Sequence, residues 1–413
     1  MTTEAPSTAT PPAADILSAL TARARAAAHP GTEPTERSRP TARPGGPPAD
    51  RTCPAARSGG SPVDRTRPAA RSADSPADQA RPAARPWTEP VAPEPAAPGS
   101  VALGPAAPGP VHPGADVCPC GDDSRVLAER PDGTVVRHAG AVAKAHAHGT
   151  DRAGLAARLA VAAHPALAGV LLPPLDPAAA DLHGRPVTLW PYGTPVDPED
   201  PGAAPWEEAA ELLARLHRTP PDALPPGLPR MRGPAKAARA VARLRAAGPH
   251  PASAPVLRAW AALPAWARDE APATHAAALC HGDLHLGQLV RHPAPAGRWL
   301  LIDVDDLGLG DPAWDLARPA TWFACGLLPS DAWHRFLGAY RAAGGPAVPA
   351  GAGADPWPAL DVPARALAVQ TASLAVAKAV AAGRPLDEVE QAVVDACARM
   401  GAAPPEPPGA VVR

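Results

Sequence analysis

Residues 281–316 read HGDLHLGQLVRHPAPAGRWLLIDVDDLGLGDPAWDL, and the order of residue types in this run decides what the chain can build. A short apolar run, 276–280, leads into His281, Gly282 and Asp283, and an amide side chain, Gln288, follows five residues after that aspartate. A second apolar run, 299–302, delivers Asp303. A carboxylate on a tight loop after a strand can orient a substrate hydroxyl and accept its proton, assistance worth roughly 100- to 10,000-fold in rate. An amide oxygen and a second carboxylate at the end of the next strand are hard ligands suited to Mg²⁺. Phosphoryl transfer asks little more of a protein than positioning, metal and charge neutralisation. Asp283, Gln288 and Asp303 therefore read as base, metal ligand and metal ligand.

The same residues carry a rival reading. His281, Asp283 and His285 alternate at period two, which on an extended segment puts three potential metal ligands on one side. That pattern fits an HxDxH metal-dependent hydrolase. The second half of the run, where a strand ends in Asp303 and GDPAWDLA follows, favours phosphoryl transfer.

The spacing of Asp283, Gln288 and Asp303 is that of a kinase catalytic loop and its metal aspartate. HGDLHLGQ followed by LIDVDDLGLGDPAWDLA resembles the aminoglycoside phosphotransferase and choline kinase superfamily, the small-molecule relatives of protein kinases. The resemblance implies an α+β, bilobal protein-kinase-like fold with a small antiparallel β lobe and a large, mainly helical lobe. It implies that Asp283 orients the acceptor, that Gln288 and Asp303 bind the metal, and that Asp315 braces the catalytic loop. The family's usual amide at this place is Asn. Gln288 keeps the amide oxygen and adds one methylene.

Outward from this run the chain is not uniform. The first 115 residues hold 23 of the 61 prolines and one aromatic residue, Trp87, too little apolar surface to offset the entropy of ordering. A disordered low-complexity tail over 1–115 is expected, with a fourteen-residue repeat starting at 37, 51 and 65 that has no apolar face to stack. Within it, residues 14–28 could form a brief amphipathic helix on Ile16, Leu17 and Leu20, a short docking segment or nothing. The expected lobes are 116–195 for nucleotide and 196–400 for catalysis and substrate, with a flexible tail at 401–413.

SRVLAER, the turn at Asp132 and Gly133, and VVRHAG predict a hairpin, and AVAKAHAH a third strand carrying Lys144. By resemblance, Lys144 contacts the α and β phosphates of ATP. The 39 basic residues include only three lysines, Lys144, Lys236 and Lys378, so each one stands out. The helix expected over 151–163 offers no Glu to pair with Lys144, and its central charge is Arg158. By analogy, residues 189–193 form the hinge beside adenine, placing Leu189, Trp190 and Tyr192 at the cofactor. Further helices are expected over 206–218, within 231–270, over 322–340 and over 364–400, the last capped by Gly401. His217 reads as structural, and Trp314, Trp322 and Trp333 as core residues or the floor of an acceptor pocket.

Net charge is −2 with no basic stripe, which points away from nucleic acid. The start, MTTEAPSTATPP, lacks the basic run and apolar core of a signal peptide, and no apolar stretch approaches a bilayer-spanning length. A cytoplasmic protein without a membrane partner is expected. Six cysteines, at 53, 118, 120, 280, 325 and 397, form no disulfide-like framework. Cys118 and Cys120 make a single CxC, and a metal site there would need two further ligands close by.

The expected function is an ATP-dependent (or GTP-dependent), Mg²⁺-dependent phosphotransferase. It would move the γ-phosphoryl group to a hydroxyl of a small molecule of aminoglycoside, sugar or amino-alcohol type. Asp305, Asp306 and Asp311 suit a cationic acceptor or simply form turns. A nucleotide-binding pseudokinase acting as an interaction module is the alternative, motivated by Gln288 and the missing Glu.

Overall fold

The computed structural model describes residues 13–30, 120–121, 123–130, 133–272 and 278–402. The fourteen-residue repeats, Asp132 of the expected turn, Cys118 and residues 403–413 lie outside the described residues.

In chain order the elements are α1 (Ala13–Ala28), β1 (Ser124–Arg130), β2 (Gly133–His138), β3 (Ala141–His146), α2 (Arg152–Ala162), β4 (Ala180–Leu182), β5 (Arg185–Pro191) and β6 (Thr194–Pro195). They continue as α3 (Trp206–His217), α4 (Gly233–Ala246), α5 (Ser253–Ala261), β7 (Ala278–Cys280), β8 (Leu289–His292), β9 (Arg298–Leu301) and β10 (Gly308–Gly310). Four helices follow: α6 (Ala317–Ala324), α7 (Ser330–Ala342), α8 (Trp357–Ala382) and α9 (Glu388–Ala402).

The small lobe is a five-stranded antiparallel sheet in the order β1-β2-β3-β5-β4. Its two faces follow the period-two alternation of strand side chains. Val135 and Val142 join Leu155 and Leu159 of α2 in the main core. Their neighbours Val136, Ala143 and Ala145 pack instead with Ile16, Leu20 and Ala24 of α1. The 14–28 helix is thus a docking segment, and the surface it docks on is the chain's own sheet. The stretch before residue 115 is therefore not structureless throughout: an apolar stripe at i, i+4 and i+8 meets a sheet face that would otherwise be exposed. Arg23 pins the helix edge, donating to the Asp181 carbonyl at 2.8 Å.

The rest is mainly helical, as the fold class requires. Asp151 caps α2, accepting from the Ala153 and Gly154 amides at 3.1 Å. Two long helical runs expected from the sequence are each two helices. The break after α6 falls at Gly326 (φ +75°), with Pro329 just before α7. The break after α8 falls at Gly383 (φ 59°), a left-handed cap. Gly401 lies inside α9 rather than beyond it. Trp314, Trp322 and Trp333 do not form one cluster. Trp314 meets Trp266 edge-on, whereas Trp333 stacks on Phe323 and Trp357. Among the described residues no helix is long and apolar enough to cross a membrane.

Two small sheets place the motif residues. β7 pairs with β10, and the order β6-β8-β9 forms a second sheet. The β8–β9 hairpin, with Leu289 opposite Leu301, brings the residues before Leu289 beside those after Leu301.

Candidate active site

Asp283 follows β7 on a turn that only glycine can make: Gly282 has φ +83°, and a Cβ there would strike the Asp306 carbonyl. Asp315 holds the turn from below. Its carboxylate accepts from the backbone N–H groups of His281 at 2.6 Å and Gly282 at 2.7 Å. His217 Nε2 lies 2.9 Å from the same carboxylate, and His217 Nδ1 lies 2.7 Å from the Tyr340 hydroxyl. The Ala347 amide donates to that hydroxyl at 3.0 Å. With a neutral imidazole, the hydroxyl donates to Nδ1 and Nε2–H donates to Asp315. Burial pushes the Tyr340 phenol up, so it stays a neutral donor. His217 is buried between Asp315 and Tyr340, and Cys280 beside it is a buried thiol that burial raises well above its usual range.

Asp283 itself sits between two cations. Lys236 Nζ is 2.9 Å from one carboxylate oxygen and Arg318 Nη2 is 3.0 Å from the other. Burial works against its ionisation, yet Lys236 and then Arg318 more than offset it and hold the carboxyl well below the usual range. Lys236 also reaches Asp306 at 2.8 Å, and Arg232 meets Asp306 at 3.0 Å.

Asp303 follows β9 and caps the next turn in the left-handed region, φ 61° and ψ 77°, an arrangement that costs roughly 1–3 kcal/mol for a residue other than glycine. Lys144 of β3 lies 2.8 Å from Asp303 and 3.0 Å from Asp305. His146, two residues on, lies 3.4 Å from Asp305. Burial, with the Asp305 carboxylate adding to it, lifts Asp303 above the usual range against the pull of Lys144. Asp305 is lowered because Lys144 and His146 outweigh its burial.

Gln288 is fully buried, and its backbone carbonyl accepts from the Ile302 amide at 2.9 Å, immediately before Asp303. Neither its amide oxygen nor its amide nitrogen has a hydrogen-bond partner. A buried orphaned amide costs about 1–3 kcal/mol per group. The oxygen donor set of Gln288 and Asp303 fits a hard divalent cation.

Sequence reasoning missed the partners of these groups. Lys144 is held by Asp303 and Asp305 in place of a helix Glu, while Arg158 of α2 donates to the Leu307 carbonyl at 2.8 Å. Lys236 and Arg318 were not anticipated beside Asp283. The scarcity of lysine was the available signal for Lys236: two of the three lysines are buried here, and Lys378 is exposed.

Other expectations meet different outcomes. Trp190 is a core residue whose indole donates to Thr188 at 2.9 Å. The Leu189 carbonyl accepts from Leu175 and the Tyr192 amide donates to Gly140, so the expected hinge groups are engaged within the fold. His281, Asp283 and His285 do not converge on a common point, because the turn at Gly282 ends the period-two alternation. His281 Nε2 donates to the Ile302 carbonyl at 2.7 Å, and His285 Nδ1 accepts from the Gly287 amide at 3.1 Å. Asp305 and Asp306 are committed to cations, and Asp311 caps a turn at the Ala313 amide.

Residues 121–357 match the phosphotransferase enzyme family. No curated protein matches the chain. Among solved structures, a choline/ethanolamine kinase family protein from Mesorhizobium loti is 19% identical, covering 68% of this chain and 88% of its own, with a TM-score of 0.41. A macrolide 2'-phosphotransferase from Brachybacterium faecium is 20% identical over 68% and 93%, with a TM-score of 0.40. A thermostable mutant of an aminoglycoside phosphotransferase is 16% identical over 68% and 96%, with a TM-score of 0.45.

Proposed function

The chain belongs to the phosphotransferase enzyme family, and from that premise we propose that it moves the γ-phosphoryl group of ATP, with Mg²⁺, to a hydroxyl of a small uncharged molecule such as a sugar. The observation that carries this reading is the Gln288 amide, buried without a partner beside the backbone that leads into Asp303. Gln288 and Asp303 are the residues that would hold the metal. When bound, Mg²⁺ would neutralise phosphate charge and fix the orientation of the transferred group.

The chain's own groups divide the remaining work. Asp283 orients the acceptor hydroxyl and takes its proton, and its depressed pKa keeps it ionised at neutral pH. Lys144 stays charged, because Asp303 and Asp305 overcome its burial, and it serves phosphate oxygens. Lys236 and Arg318 set the Asp283 carboxylate in one orientation. Asp315, through His281 and Gly282, fixes the loop.

The charge pattern supports the choice of acceptor. Asp305 and Asp306 are already neutralised by Lys144, Lys236 and Arg232, so a polycationic acceptor finds no spare carboxylate among them. The test is ADP release and product formation by the full chain with ATP and Mg²⁺ across sugars, amino alcohols and aminoglycosides. Transfer to a sugar that falls at least about 100-fold in Asp283→Ala supports the proposal. ATP binding without transfer to any acceptor would contradict it and favour a nucleotide-binding interaction module.

A further inference from the structure

We propose a zinc site on the outside of the small lobe, formed by His29, Cys120 and His138. One ligand atom from each of His29, Cys120 and His138 lies within 4.8 Å of the others. These residues come from three separate places: the C-terminal end of α1, the chain entering β1, and the last residue of β2. None of them belongs to the site described above, so the inference stands apart from the catalytic reading.

The geometry is that of a ligand set. Zinc takes sulfur at about 2.3 Å and imidazole nitrogen at about 2.0–2.1 Å, so neighbouring sulfur and nitrogen ligands of a tetrahedral site sit ~3.5 Å apart. Cys120 Sγ lies 3.4 Å from His138 Nε2. His138 Nδ1 lies 2.9 Å from Ser124 Oγ. If Nδ1 carries the proton and donates it to that hydroxyl, Nε2 presents its lone pair toward the cysteine, which is the outer-sphere arrangement metal-ligating histidines use. The His29 ring meets the His138 ring edge to face, with centroids 5.7 Å apart. His138 is buried and Cys120 exposed, so the site is anchored on one side and open to an incoming ion on the other.

Three protein ligands leave the fourth tetrahedral position to a water molecule. Binding replaces the thiol proton of Cys120 by the metal, releasing one proton per zinc and leaving a site of net charge +1 with two neutral imidazoles. The site ties α1 to the sheet it covers.

The test is the metal content of the tag-free full chain purified without chelator, with cobalt(II) as a spectroscopic probe. The expected result is about one zinc per chain, and for the cobalt form a thiolate charge-transfer band with intense visible d–d bands of a tetrahedral centre. Cys120→Ser and His29→Asn each lose stoichiometric zinc, and Ser124→Ala weakens zinc binding about 10- to 100-fold. Wild-type protein that takes up no zinc from added Zn²⁺, zinc that survives either ligand replacement, or a weak six-coordinate cobalt spectrum would overturn the proposal. Cys120 and His138 would then be in hydrogen-bond contact without a metal.

Discussion

Lys236 decides the state of Asp283. Removing an opposite charge from beside a carboxylate destabilises the ionised form and raises its pKa, by about 1–3 units for a close pair. Lys236→Met is therefore expected to move the acid limb of the kcat/KM profile to higher pH, and an unmoved limb would remove Lys236 from that role. Gln288 makes a prediction of two signs. Its amide is a buried orphan, so Gln288→Leu should stabilise the protein without ligand by about 1–3 kcal/mol in urea unfolding. The same change should abolish Mg²⁺-dependent nucleotide binding. Asp283, Gln288, Asp303 and Asp315 could be named from the sequence because they are spaced along one continuous run. Their partners could not, since Lys144 lies 159 positions from Asp303 and Arg318 lies 35 positions from Asp283. Nothing local in a sequence marks such pairs, apart from the rarity of lysine in this chain.

Among the elements, α1 is the most informative. Leu20 has no exposed surface and packs between Ala143, Val136 and their neighbours. Leu20→Ala should cost about 2–5 kcal/mol of docking, and hydrogen exchange would then show α1 amides losing protection while α3 and α8 keep theirs. Unchanged protection of α1 would mean that Leu20 does not hold the helix. Helices with a strong apolar period, such as α3, were legible in position to within a residue. The splits between α6 and α7 and between α8 and α9 were not drawn, although Gly326 and Gly383 mark them, because an isolated glycine in an apolar run reads equally as a tolerated interruption. Pro363 shows the converse, since it lies within α8 without ending it.

For the molecule as a whole, stability is tied to acid pH through His285. His285 is half-buried, and burial, opposed by Asp283, lowers its pKa from the usual 6.5 to about 3. The unfolded chain therefore binds a proton that the native chain refuses between those values, and stability falls as pH drops from 6.5 towards 3. The contribution is at most about 1.4 kcal/mol per pH unit, and His285→Asn should flatten the slope of unfolding free energy against pH by up to that amount. A slope unchanged in the variant would assign the acid sensitivity elsewhere. The two-lobed arrangement followed from the family resemblance, whereas the joining of the lobes through Lys144, Asp303 and Asp305 is a property of the folded chain. That junction is where the account is most exposed. Calorimetric titration of ATP into the full chain, with and without Mg²⁺, for wild type and Asp303→Asn, tests it most directly. Binding that requires Mg²⁺ and is lost or greatly weakened in the variant is the predicted result. Binding that is indifferent to Mg²⁺, or equal in both proteins, would contradict the assignment of Gln288 and Asp303 to the metal.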